Sequence, residues 1–109
     1  MENLKFIRNI ELQSDEILLF ESDINYSQIW LSNGRKLIVA KTLKQISEIV
    51  KNSPFVRVNR KIMLNANFVK SLGNEQTKQT AELTNGLKIT FSRRRAAKAH
   101  NDIKNYLIN

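Results

Sequence analysis

Tyr26-Ser27-Gln28-Ile29-Trp30-Leu31-Ser32-Asn33-Gly34-Arg35-Lys36-Leu37-Ile38-Val39-Ala40 decides how this chain folds. From Tyr26 to Leu31 the residues alternate, with Tyr26, Gln28 and Trp30 on one face and Ser27, Ile29 and Leu31 on the other. Successive side chains of a strand point to opposite faces, so the alternation predicts a half-buried strand. Asn33-Gly34 follows, and both residues tolerate the positive φ that a tight hairpin needs. Arg35 to Ala40 is then the return strand.

Outward from this hairpin, residues 15–22 (Asp-Glu-Ile-Leu-Leu-Phe-Glu-Ser) form a short apolar run between polar residues, a largely buried strand. Asp23-Ile24-Asn25 reads as the turn between the two. On the other side, Thr42-Leu43-Lys44-Gln45 has the form of a capping box. Leu43, Ile46, Ile49 and Val50 recur at helical spacing, which predicts a short amphipathic helix over 43–51. Asn52-Ser53-Pro54 ends it, because the residue before a proline is pushed out of the helical region. Phe55 to Asn59 resumes as a strand, while Arg60 to Asn65 carries no decisive pattern. Phe68 to Leu72 is another strand, and residues 73–79 form a polar loop. Thr80–Leu83 pairs with Leu87–Phe91 across Thr84-Asn85-Gly86, a second hairpin signal. A C-terminal helix starts near Ser92 and places Ala99, Ile103 and Leu107 on its buried stripe. The elements do not alternate as strand and helix, so no parallel sheet is implied. The expected class is mainly β, with small antiparallel sheets, a short central helix and a C-terminal helix.

A chain of 109 residues with 41% hydrophobic and 26% charged residues suits a single globular domain. There is no cysteine, which excludes disulfides and thiolate metal sites. Met1 to Gln13 contains Glu2 and Glu11 and no continuous apolar stretch, unlike a secretory signal. The longest apolar runs fall far short of the ~20 residues that cross a bilayer. A soluble, cytoplasmic protein is expected, with no membrane partner.

Residues 1–50 hold six Lys/Arg against seven Asp/Glu, a balance of −1, whereas residues 51–109 hold twelve against three, a balance of +9. No acid stands between Glu48 and Glu75 or between Glu82 and Asp102. Such a basic half favours a polyanionic partner, nucleic acid before anionic membrane. Enzyme chemistry finds no support. The single His100 has no cysteine and only Asp102 as a near acid, which suits a surface residue. The three glycines stand apart at 34, 73 and 86, so no phosphate-binding loop exists. Neither Glu11/Asp15/Glu16 nor Glu21/Asp23 makes a plausible catalytic pair. No catalytic residue, metal, cofactor or small-molecule substrate is expected.

Ser92-Arg93-Arg94-Arg95 is the sharpest feature. With Ser92 as cap, three cations crowd the positive end of a helix macrodipole, which disfavours them. Free backbone N–H groups and guanidinium forks together suit phosphate, and the forks also match guanine edges. The bland alternative is that they fan into solvent or pair with Glu21 or Glu82. A second cluster, Arg57, Arg60 and Lys61, lies among Asn59, Asn65 and Asn67. Alternation puts Arg57 and Asn59 opposite Val56 and Val58. Asn65 and Asn67 read as turn or capping residues rather than base readers.

Four segments, in order, resemble the LytTR DNA-binding domain family. They are Phe20-Glu21-Ser22-Asp23-Ile24-Asn25-Tyr26-Ser27, Leu43 to Ile49, Phe55-Val56-Arg57-Val58-Asn59-Arg60-Lys61-Ile62-Met63-Leu64-Asn65, and Asn85-Gly86-Leu87-Lys88-Ile89-Thr90-Phe91-Ser92-Arg93-Arg94. The match covers roughly residues 15–107. It implies an elongated LytTR-like β fold over 15–109 behind a lead-in segment, 1–14, too brief for the receiver domain or membrane segment many relatives carry there. It also implies sequence-specific binding of double-stranded DNA by a bacterial transcription regulator whose loops enter successive major grooves. Transferred by motif, base contacts fall on Ser27, Arg60 and Arg94, and phosphate contacts on Asn59, Lys61, Arg93 and Arg95. The sequence departs from the family at Asn59, where a His is common, and at Lys61, where a Ser is common. Direct-repeat sites and a homodimer on DNA are expected partners. The competing reading is an interaction module, an antagonist pairing with a related regulator. RNA binding usually needs exposed aromatic platforms, and most of the eight aromatics here (five Phe, two Tyr, one Trp) sit at apparent core positions.

Overall fold

The computed structural model describes residues 3–7, 10–73 and 79–108. In chain order the strands are β1 (Asn3–Ile7), β2 (Ile10–Gln13), β3 (Ile17–Asp23), β4 (Tyr26–Leu31) and β5 (Lys36–Val39). Helix α1 (Leu43–Ile49) follows, then β6 (Phe55–Arg57), β7 (Ile62–Asn65), β8 (Val69–Leu72), β9 (Thr80–Leu83), β10 (Lys88–Thr90) and helix α2 (Arg93–Ile108). Single 3-10 turns at Ser14–Glu16 and Ala66–Phe68 lead into β3 and β8. Of the polar loop expected over 73–79, residues 74–78 lie outside the described residues.

The principal sheet has five strands in the order β5-β4-β3-β7-β6, and a second has three in the order β10-β9-β8. Strands β1 and β2 pair as a separate ribbon, and every pairing is antiparallel. The molecule is elongated, 44 × 29 × 24 Å.

β3 lies at the centre of the large sheet, and its four leading residues, Ile17 to Phe20, are all buried. Strict alternation would expose every second one if one face met water. Here the sheet is covered on both faces, and a bulge between Ile17 and Leu19 shifts the register against β4. The extra residue changes which side chains share a face. Ile17 and Phe20 pack under α1 with Ile29, Val39, Leu43, Ile46 and Met63. Leu18 and Leu19 join the opposite core, beneath the three-stranded sheet and α2, with Val58, Leu64, Leu83, Phe91 and Ile103.

The sequence signals act locally as expected at several points. In β4 the buried residues are Ser27, Ile29 and Leu31, with Tyr26, Gln28 and Trp30 half-buried. The Thr42 hydroxyl accepts from the Gln45 backbone N–H at 3.2 Å, and the Gln45 side chain accepts from the Thr42 N–H at 2.9 Å. α1 stops at Ile49, one turn before Pro54. In α2, Ala99 and Ile103 are buried, but Leu107 is 47% exposed. The buried stripe therefore ends a turn earlier than its spacing predicts. Strand β3 begins at Ile17 rather than at Asp15, because Ser14–Glu16 curl into a 3-10 turn.

Asn65, at the end of β7, is fully buried and fully used. Its amide nitrogen donates to the carbonyls of Ser14 at 3.0 Å and Ile17 at 2.9 Å. Its oxygen accepts from the Asn67 N–H at 2.9 Å. Asn65 is therefore the cap of the 66–68 turn, as its place in the sequence suggests, and also a tie to the start of β3, 48 residues away. At the tip of the β3–β4 hairpin, Ile24 has a φ of 47°. For a β-branched residue this left-handed conformation is an outlier costing about 1–2 kcal/mol.

Candidate nucleic-acid interface

The basic loop between β6 and β7 is held from beneath by Arg57. Its Nε donates to the Asn59 carbonyl at 2.8 Å, and an Nη donates to the Arg60 carbonyl at 2.7 Å. Burial pushes the Arg57 pKa down, and the neighbouring Arg95 charge adds to the effect. With its fork spent on two backbone carbonyls, Arg57 is a brace for the loop.

Asn59 does a second structural job. Its oxygen accepts from the N–H groups of Lys61 at 2.8 Å and Ile62 at 2.9 Å, turning the chain into β7. Its amide nitrogen donates to the Thr90 carbonyl, 31 residues away, at 2.7 Å. The Ser92 N–H donates to the Val58 carbonyl at 2.9 Å beside it. These bonds sew the 58–61 loop to the start of α2, so two basic segments far apart in sequence become one surface. Asn59→Ala removes an acceptor from two N–H groups and a donor from a carbonyl. It is expected to cost about 1–3 kcal/mol of stability, read as a lower denaturant midpoint, and to weaken DNA binding at every sequence. Unchanged stability would show that the bond to Thr90 does not hold the segments together.

On this surface Arg60, Lys61, Arg93 and Arg94 are exposed and Arg95 is half-buried. Among the described residues no carboxylate pairs with any of them, and the one ion pair joins Lys98 to Asp102 at 2.7 Å. The alternative of pairing with Glu21 or Glu82 is not seen. Glu21 instead accepts from the Trp30 indole N–H at 3.3 Å. Arg93, Arg94 and Arg95 occupy the first turn of α2, which has no acid there. Each cation is unfavourable by a few tenths of a kcal/mol or more at that pole (about 0.3–1 kcal/mol), so an anion bound there is favoured twice. The cationic field continues into an open cleft of 390 Å³ between the two helices, where Lys51, Arg57, Arg94, Arg95 and Lys98 meet a single acid, Asp102.

The β3–β4 hairpin tip abuts the same surface. The Ser22 N–H donates to the Lys61 carbonyl at 2.8 Å. Ser22, Asp23, Ile24, Arg60 and Lys61 line one cleft of 350 Å³. The Tyr26 hydroxyl donates to Asp23 at 2.9 Å, and that bond, with the Asp23 charge, raises the Tyr26 pKa.

Ser27 requires a correction. It is fully buried, and its hydroxyl donates to the Lys41 carbonyl at 2.7 Å. It faces the interior because alternation in β4 puts it on the side of Ile29 and Leu31, so it has no surface to offer a base. The residues at the hairpin tip that do reach solvent are Ile24, 90% exposed, and Asn25. The only signal there was an isoleucine between Asp23 and Asn25, where turn chemistry favours Gly, Asn or Asp.

Among the described residues no cluster of His, Asp or Glu is placed to hold a metal ion. His100 sits 3.0 Å from the Gly73 carbonyl and is half-buried. No helix among the described residues is long and apolar enough to cross a membrane.

Residues 8–104 match the family model described as the LytTr DNA-binding domain. Among solved structures, the chain is similar to the LytTr DNA-binding domain of a methyl-accepting/DNA response regulator from Bacillus cereus. The identity is 18%, the alignment covers 94% of each chain, and the TM-score is 0.72. At that identity the likeness speaks to the fold. Comparison with curated proteins gives no match. The family match spans most of the chain, the fold agrees with it, and the chain belongs to the LytTR family of DNA-binding domains.

Proposed function

We propose that this domain is a bacterial transcription regulator that binds double-stranded DNA sequence-specifically, without enzymatic chemistry, in the cytoplasm. The observation that carries the proposal is the union of the 58–61 and 92–95 segments into one cationic surface through the Asn59–Thr90 and Ser92–Val58 hydrogen bonds. Arg60 projects from the loop between β6 and β7 and Arg94 from the first turn of α2, and these two forks read base edges in the major groove. Lys61, Arg93 and Arg95 supply phosphate contacts around them. Asn59 acts by positioning, since its amide already serves three backbone groups. The DNA-binding unit is residues 15–109, with 1–14 as its lead-in, and paired copies occupy direct repeats.

Phosphate contacts supply most of the affinity of such a surface and make it steeply salt-dependent. Lys61→Ala is therefore expected to weaken binding to all duplexes alike and to reduce the salt slope by about one unit. Titrations of cognate and scrambled duplexes at several salt concentrations check this; a loss confined to the cognate duplex would make Lys61 a base reader.

The deciding experiment is selection of bound duplexes from a random pool at two salt concentrations. A recurring motif, in repeats about one helical turn apart, supports the reading. Salt-sensitive binding without enrichment would reduce the surface to a nonspecific one. No binding at all would favour an antagonist that pairs with a related regulator.

A further inference from the structure

We infer that Ile24 is a specificity residue, whose side chain reads the 5-methyl group of a thymine in the major groove. The inference rests on the DNA-binding reading above and adds a contact to it.

Ile24 is a large apolar side chain that is 90% exposed. It is held in a left-handed conformation, φ 47°, that its branched side chain disfavours. Asn25, which tolerates that conformation far better, is the next residue. The tip is nevertheless well fixed. Strand pairing runs up to Asp23 and Tyr26, the Tyr26 hydroxyl bonds Asp23, and the Ser22 N–H bonds Lys61. A strained apolar group on a rigid mount is preorganised for contact, which lowers the cost of binding.

Its surroundings decide the kind of contact. The cleft it shares is lined by Ser22, Asp23, Arg60 and Lys61. The Asp23 carboxylate, which accepts from the Tyr26 hydroxyl, is the one acid there and is outnumbered by the two cations. No other apolar side chain lines that cleft, so Ile24 is not the centre of a hydrophobic patch of the kind that marks a protein interface. A lone apolar group flanked by two cations suits a surface that is anionic but carries isolated apolar points. The major groove of DNA is such a surface, and the thymine methyl is its apolar point.

The test uses the duplex obtained by selection, with each thymine replaced in turn by deoxyuridine, which removes only the methyl group. At one position the substitution is expected to weaken binding of the unmodified protein by about three- to fivefold, the factor for one buried methyl. Ile24→Gly and Ile24→Asn both accommodate positive φ and should stay folded, and both should bind the thymine and deoxyuridine duplexes equally. Ile38→Ser removes an exposed isoleucine (64%) from edge strand β5 and should retain the difference. Sequence-selective binding with no deoxyuridine-sensitive position would overturn the inference and leave the DNA reading standing. So would a sensitivity that survives in both Ile24 variants. Failure of the unmodified protein to select any sequence would overturn both.

Discussion

Arg94→Ala lowers affinity for the selected duplex by about 1–3 kcal/mol, a factor of about 5 to 150, and relaxes discrimination at one or two base positions. The size follows from geometry. Arg94 is exposed at the start of α2, with no carboxylate partner among the described residues, so its fork is free for the two acceptors of a guanine edge. Arg94→Lys is expected to restore little, because an ammonium is a point charge and lacks the planar fork. Stability moves the other way or not at all, since removing a cation from the positive pole of a helix relieves repulsion. Anisotropy titrations on selected and scrambled duplexes, alongside a denaturation curve, separate these effects. Equal losses on both duplexes would make Arg94 a phosphate anchor and leave base reading to other residues.

Asn65→Ala is expected to cost about 3 kcal/mol of folding stability, a large share of the 5–15 kcal/mol typical of a domain. The substitution strands the carbonyl of Ile17 and the N–H of Asn67, and leaves the Ser14 carbonyl with only the Ile17 N–H, in a site with no solvent access at Asn65 itself. Asn65→Asp should be worse at neutral pH. It keeps the acceptor for Asn67 but sets a carboxylate oxygen against two carbonyl oxygens, a buried charge facing like dipoles. Urea midpoints for the two variants give the test. If alanine is tolerated within about 0.5 kcal/mol, as at an ordinary surface position, the bonds to Ser14 and Ile17 do not stabilise the fold.

These residues also mark how far the sequence could be read. The hairpin at Asn33-Gly34, the Thr42 cap and the helix stop before Pro54 were legible because each is a local preference with a local cause. The run Ile17 to Phe20 was legible as buried, but not as serving two cores, since the bulge depends on pairing with β4. The β1–β2 ribbon escaped notice, because alternations of only a few residues do not distinguish strand from coil. In the site, the basic content of the second half was plain, while its organisation was not. The bond from Asn59 to Thr90 spans 31 residues and leaves no trace in spacing. Ser27 was misassigned for a related reason. The family likeness gives the segment, but alternation in β4 decides which side of the sheet each residue faces. Applied to Ser27, the period that identified the strand would have placed it inside.

The two Asn-Gly turns have a practical use. Gly34 and Gly86 take φ of 93° and 92°, and nothing lies within 4 Å of where a Cβ would stand at either. Gly34 and Asn85 border the same shallow cleft, so the two turns are neighbours. They lie at the end of β4 remote from Ile24, a separation of about 20 Å for a strand of this length. The two turns thus stand together at the end of the domain away from the Ile24 hairpin tip. A fluorophore or surface tether attached at the exposed Ser32, rather than at Asn33 whose side chain accepts the Arg35 N–H, would stand about 20 Å from the hairpin tip.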